Sequence, residues 1–263
     1  MKAARKVLAW EVRNLVRSRW VIGYGLLFGV LTDALFRFGG EGDRVVVSLL
    51  NLVLLAVPLV SAVFGTLYLY TAREFVELLL AQPVGRKPLF AGLYAGLVLP
   101  LAGAFLLGTG IPFLAHLGPA ALVRGAAPLL LLTGVLLTLV FGAVAFVVAT
   151  HFEDRAKGLG AALLAWLAAA ILYDGLVLLA TVLFARWPLE RPLLALMALN
   201  PVDLGRVLVL LQVDAAALLG YTGAVFRRTL GAPWGTAAAA TALLLWVAAP
   251  LALGWRGFRR KDV

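Results

Sequence analysis

Six apolar runs constrain this chain more than any other feature. They lie at residues 20–38, 45–70, 89–115, 129–150, 159–185 and 236–255. At 1.5 Å of rise per residue, about 20 apolar residues in helix cross a hydrocarbon core of about 30 Å. Backbone groups inside lipid find no water, so each run must satisfy its own hydrogen bonds, which a helix does. Composition agrees. Of 263 residues, 63% are hydrophobic and 14% charged, and the mean hydropathy is +1.01. Soluble domains average about 45–50% apolar and about 25% charged. The length outside the runs leaves little room for a separate soluble domain. The expected fold is all-α and integral to a membrane: an interfacial helix followed by six transmembrane helices, in one domain over 1–263.

Residues 1–19 are basic and amphipathic. Leu8, Val12, Leu15 and Val16 recur at helical spacing, with Lys2, Arg5, Lys6, Arg13 and Arg17 around them. This pattern fits a helix lying in the head-group plane. A signal peptide fits poorly, because the basic part is long, contains Glu11 and is followed by no A-x-A site. The connections include GGEGDR (39–44), HLGPAALVRGAAP (116–128) and HFEDRAKG (151–158). Pro58 admits a kink in the second run, and Pro100 and Pro112 break the third. Residues 186–235 carry two shorter apolar stretches, 193–199 and 207–225. GLLFG (25–29) and GLYAG (92–96) match the small-xxx-small packing pattern, a weak signal in spans this rich in Gly and Ala.

The net charge is +10. The basic residues cluster at run ends, where they set orientation and anchor anionic lipid; nucleic acid is not an expected partner. Fifteen of the 23 lysines and arginines fall in 1–19, 71–88, 151–158 and the C-terminal tail. The positive-inside rule then places both termini in the cytoplasm and the chain, multi-pass, in the cytoplasmic membrane. Residues 71–88 face the cytoplasm and 186–235 the exterior.

Between the second and third runs stands REFVELLLAQPVGRKP (73–88). With 72–81 helical, Phe75, Leu78 and Leu79 share one face. Arg73, Glu74 and Glu77 fall mostly on the other, and Arg73 and Glu77 form an i, i+4 pair. Pro83 ends the helix, and Arg86 and Lys87 return the chain to the membrane surface. Two readings stand: a connector resting on lipid, or a helix on which something docks.

Reactive chemistry is sparse. With no cysteine, disulfides, thiolate metal sites and cysteine nucleophiles are excluded. His116 and His151 fall in loops on opposite sides, which disfavours an imidazole metal site. No G-x-x-x-x-G-K-[ST] loop is present, so the chain does not hydrolyse ATP and needs no cofactor of its own. Asp33 and Asp174 are the acidic residues within runs. They lie on separate helices without a catalytic motif, which argues against an intramembrane enzyme; a scaffold without transport remains a competing class. An ionisable group at membrane depth is costly, so Asp174 either lines a path or bonds to a Tyr, Ser or Asn of a neighbouring helix. Asp33 can reach the interface, and Asn51 reads as a helix–helix contact. Asn200 and Pro201 read as a cap and first helical residue, with Asp203 in the first turn and Arg206 three residues on. Alternatively, the helices that follow receive an external partner or line an exit.

These features together resemble the ABC-2 family of transporter permeases. The family's coupling helix lies between spans two and three, and this chain matches its pattern at Glu77, Leu79, Leu80, Pro83, Val84 and Arg86, with Phe75-Val76 in place of a usual small pair. LYDGLVLL (172–179), LNPVDLGRVLVLLQ (199–212) and the terminal GFRRKDV resemble, more narrowly, permeases of nitrous-oxide-reductase maturation exporters. The resemblance implies a separate cytoplasmic P-loop ATPase that binds the ATP and docks on 72–83. Phe75, Leu78 and Leu79 would insert into its groove, and Arg73, Glu74, Glu77 and Arg86 would set orientation. HFEDRAKG would be a second contact or simply solvated. It further implies two permease copies enclosing a path, a periplasmic accessory protein, and a sulfur-containing cargo for copper-centre maturation. Export of lipid, drug, peptide or glycan is open on the same pattern.

Overall fold

The computed structural model describes residues 18–39, 42–81, 85–184, 196–211, 213 and 232–260. The expected interfacial helix before residue 18, Pro83 and most of 186–235 lie outside the described residues. The helices are α1 (Arg19–Gly39), α2 (Gly42–Thr71), α3 (Arg73–Leu80), α4 (Arg86–Leu117) and α5 (Ala127–His151). They continue with α6 (Arg155–Leu167), a π turn (Ala168–Leu172), α7 (Tyr173–Leu183), α8 (Pro201–Leu210) and α9 (Ala232–Arg260). Six units are long and apolar enough to span a membrane: α1, α2, α4, α5, the continuous α6–α7, and α9. Each coincides with an expected run.

The expected break in the third run does not occur. α4 continues through both Pro100 and Pro112, which are buried. Packing by neighbouring helices holds α4 in helix through both positions, as proline is tolerated in spanning helices where the freed backbone groups find other partners. α2 likewise continues through Pro58. The two histidines are not in loops: His116 lies in the last turn of α4 and His151 closes α5. Asn51 is exposed on α2.

α5 is the central element, packed against α2, α4, α8 and α9. It is apolar all round, as a fully surrounded helix should be. In its most apolar stretch 67% of residues are buried, against 6% for α6–α7. Small residues set the spacing. The Phe105 ring fills the space beside Gly134, where a Cβ would stand 2.2 Å from it. The GLLFG stretch is a true packing contact: Gly25 meets the Ala104 carbonyl, and a Cβ on Gly108 would lie 2.3 Å from the Gly25 carbonyl. α1 and α4 therefore cross with their backbones touching.

α8 departs most from expectation. Every residue of it except Arg206 is buried. A Cβ on Gly205 would lie 2.8 Å from the Thr133 methyl and 3.3 Å from Leu54, side chains that belong to the spans α5 and α2. The described part of the segment is thus packed against the spanning helices rather than standing free of them. Its Val and Leu residues encircle the helix, which makes burial the favourable state.

Candidate functional site

At one end of the bundle, α3 packs against the end of α2 and beside the 152–154 loop that precedes α6. Two stripes run along it. Val76, Leu79 and Leu80 are partly buried against the core. Glu74, Glu77, Leu78 and Ala81 form the exposed i, i+3, i+4, i+7 stripe, with Leu78 68% exposed. The face shared by Phe75, Leu78 and Leu79 in the sequence is thus divided: Leu79 turns inward, Leu78 outward, and Phe75 is half-buried between them. The Leu78-Leu79-Leu80 run permits either assignment, and contact with the bundle decides it.

The Arg73–Glu77 pair is absent from the ion pairs of the described residues. Instead the Arg73 guanidinium donates to the Glu153 carbonyl at 3.2 Å and lies over the Tyr70 ring at 5.3 Å. The Tyr70 hydroxyl donates to the Phe152 carbonyl at 2.7 Å. Gly158 makes this approach possible, since a Cβ there would stand 2.0 Å from that hydroxyl. Asp154 caps α6 by accepting from the Lys157 amide at 2.8 Å. The connector and the 152–154 loop therefore form one unit. Arg86 donates through Nη1 to the Arg259 carbonyl, joining the start of α4 to the last turn of α9, where a cation complements the helix dipole.

A second cluster lies further along α6–α7. Arg206 bridges two carboxylates: Nη2 donates to Asp174 at 2.8 Å and Nη1 to Asp203 at 2.9 Å. Asn200 caps α8, its Oδ1 accepting from the Val202 amide at 3.0 Å. Its Nδ2 donates to the Ala169 carbonyl at 2.8 Å and approaches Asp203 at 3.3 Å. The π turn explains the first of these. Within it the Tyr173 amide bonds to Ala168, not to Ala169 as in an α-helix, so the Ala169 carbonyl is open to Asn200. Such turns recur at functional sites. Tyr173 adds a bond from its hydroxyl to the Leu196 carbonyl at 2.6 Å. Asp174 thus pairs with an arginine, not with the Tyr, Ser or Asn expected of a packing contact.

The electrostatics are unbalanced. Two carboxylates share one guanidinium, and Asp203, outside the spanning helices, is only 7% exposed. Burial pushes its carboxyl up to about 7; the Asp174 carboxylate pushes the same way, and Arg206 opposes both. With a proton on Asp203 the trio is neutral. Asp174, on the largely uncovered α6–α7 span, and Arg206, on α8, are 37% and 30% exposed. Asn51 belongs near this side: it lies one turn from Leu55 along α2, and the Leu55 carbonyl accepts from the Trp166 indole at 3.0 Å.

The sequence singled out Asp174, Asn200, Asp203 and Arg206, and the fold brings all four together. It did not reveal Tyr70, Tyr173 or the Ala169 carbonyl. A tyrosine in an apolar run gives no local sign of its partner, and a π turn has no distinguishing composition.

Comparison with known proteins bears on this arrangement. The probable ABC transporter permease protein NosY of Pseudomonas aeruginosa is 33% identical, over 99% of this chain and 98% of that one. The chain belongs to the NosY family of ABC transporter permeases. A NosY of Stutzerimonas stutzeri is 29% identical, over 95% of this chain and 96% of its own length. No family model matches the chain. As a permease this multi-pass membrane protein is one subunit of an ABC transporter, and a transporter of that kind includes an ATPase. Membership agrees with the resemblance read from the motifs and with the six spans.

Proposed function

We propose that this permease moves a sulfur-containing cargo across the cytoplasmic membrane as a homodimer, for copper-centre maturation of nitrous oxide reductase. Both termini are cytoplasmic. A separate P-loop ATPase binds ATP and docks on α3 and the 152–154 loop. The two α6–α7 faces meet, and a periplasmic accessory protein receives the cargo.

The observation that carries this reading is the half-buried pair that Asp174, on an almost bare span, makes with Arg206 of α8. Charges at membrane depth face a partner or water, not lipid. A second copy against the α6–α7 face gives them both, and places the pair beside a path between protomers. Orientation is supported by the basic residues at the α3 end: Arg73, Arg86, Lys87, Arg155, Lys157, Arg256, Arg259 and Arg260, against Arg37, Arg44 and Arg124 at the other among the described residues. Docking is supported by the exposed Glu74–Glu77–Leu78 stripe and its ties to the second loop. The cargo assignment rests on the resemblance of 172–179, 199–212 and the tail.

The test is co-purification of the tagged chain with its ATPase from detergent, followed by an ATPase assay. Glu77→Lys with Leu78→Ala should release the ATPase, whereas Leu79→Ala should lower stability and keep it bound. An ATPase fully retained by the double variant would overturn the docking assignment. Disulfide cross-linking between single cysteines placed on α7 reads the dimer face separately, since the chain has no native cysteine.

A further inference from the structure

An apolar groove of about 730 Å³ follows the crossing of α1 and α4. Gly25, Gly29 and Val30 form one wall, Pro100, Gly103 and Leu107 the other, and Asp33 stands at one end. The contact between Gly25 and Gly108 joins the two helices beneath it. From Val21 to Asp33 the groove follows twelve helical steps, about 18 Å. That is slightly more than half of a hydrocarbon core of about 30 Å, the depth of one leaflet. Volume divided by length gives a section of about 40 Å², against about 80–110 Å² for a helix 10–12 Å across. A single hydrocarbon chain lies within such a section, whereas a helix would lie over the groove rather than in it.

Among the described residues that line the groove, charge occurs only at the Asp33 end. Asp33 accepts from Arg37 Nε at 2.7 Å and lies 2.8 Å from His116 Nε2. His116 stacks on Phe36, with centroids 4.8 Å apart. The carboxylate takes the Nε of Arg37, a side chain 66% exposed, and leaves its two terminal nitrogens for an anion. A guanidinium at the interface pairs with a phosphate through such nitrogens. We infer that the groove holds one acyl chain of a membrane phospholipid, with the lipid's phosphate on Arg37. A second copy fits less well here. The charged face that needs cover is on α6–α7, and α2 packs against both α1 and α6.

The full chain in lipid nanodiscs, labelled with a phosphatidylethanolamine carrying a diazirine in one acyl chain, tests this. Adducts mapped by mass spectrometry should concentrate on 21–33 and 99–115. Gly103→Leu fills the groove without a clash, since a Cβ there meets nothing within 4 Å. It should cut those adducts about fourfold, the effect of denying roughly one methylene its burial, and leave adducts on α7 unchanged. Arg37→Ala should weaken labelling by the phospholipid but not by the matching diacylglycerol. Even labelling of all lipid-facing helices, or unchanged labelling in Gly103→Leu, would overturn the site. Cross-linking of copies through a cysteine at Leu107 would assign the groove to a second protomer instead.

Discussion

Replacing Arg206 with methionine keeps most of the side-chain length and removes the guanidinium that Asp174 and Asp203 share. The two arms differ in weight. Asp203 is 7% exposed and Asp174 37%. Removing one partner of a buried pair costs about 3–5 kcal/mol, whereas a pair open to solvent contributes about 1 kcal/mol or less. The Asp203 arm therefore dominates, and the expected cost is about 3 kcal/mol where Asp203 is ionised. Proton uptake relieves it: with Asp203 titrating at about 7, the cost should be clearly smaller at pH 6 than at pH 8. Protonating Asp203 one pH unit above its titration point costs about 1.4 kcal/mol and caps the loss at pH 8; at about 2–4 °C per kcal/mol for a chain of this size, the expected loss there is about 3–6 °C. The assay is thermal melting in detergent, read by recovery on size exclusion. Asp203→Asn in the same chain should restore most of the loss, and Asp174→Asn alone should cost little. An Arg206→Met protein that melts like the parent at pH 8, or one that Asp203→Asn does not rescue, would refute the reasoning.

Three further outcomes are expected. Asp203 binds its proton more tightly in the folded state than in the unfolded chain, so the folded state holds more protons between about pH 4 and 7. Stability from this group is lost as pH rises through that window, and a melting series should show a shallower decline in Asp203→Asn. Gly158→Ala puts a Cβ 2.0 Å from the Tyr70 hydroxyl, which should break the bond to Phe152 and cost about 1–3 kcal/mol by overpacking; Tyr70→Ala should rescue part of that loss in the same melting assay. Gly25→Leu should separate α1 from α4, because its Cβ already stands 3.1 Å from the Ala104 carbonyl. A loss of about 1–3 kcal/mol is expected by the same overpacking argument, while Gly103→Leu melts like the parent.

The spans were legible because hydropathy over 20 residues is a sum, insensitive to any one side chain. The cap at Asn200 was legible too, since capping depends on neighbours in sequence. What escaped depended on contacts across the fold. Arg206 and Asp174 are 32 residues apart, and only the insertion of α8 brings them together. That insertion was hidden because six Val and Leu residues after a proline fit a free-standing amphipathic helix as well as one enclosed by the spans. In α3 the stripes 75/78/79 and 76/79/80 both satisfy helical spacing, so the sequence leaves Leu79 on either face. Continuity through Pro100 and Pro112 was missed because the proline rule describes helices in water, not helices sheathed by others.

α6, the π turn and α7 form an unbroken rod of 29 residues, about 43 Å long. Its foot is fastened to α3 through the 152–154 loop, and Asp174 rides about 28 Å above that foot. A tilt of about 5° at the foot sweeps Asp174 sideways by about 2.5 Å at that length. This stroke nearly equals the 2.8 Å separation between Asp174 and Arg206, and α8 is too enclosed to follow it. The rod has the geometry of a long-armed pointer: a small rotation at its foot would be read out at the ion pair, resisted by the Asn200–Ala169 and Tyr173–Leu196 bonds beside it.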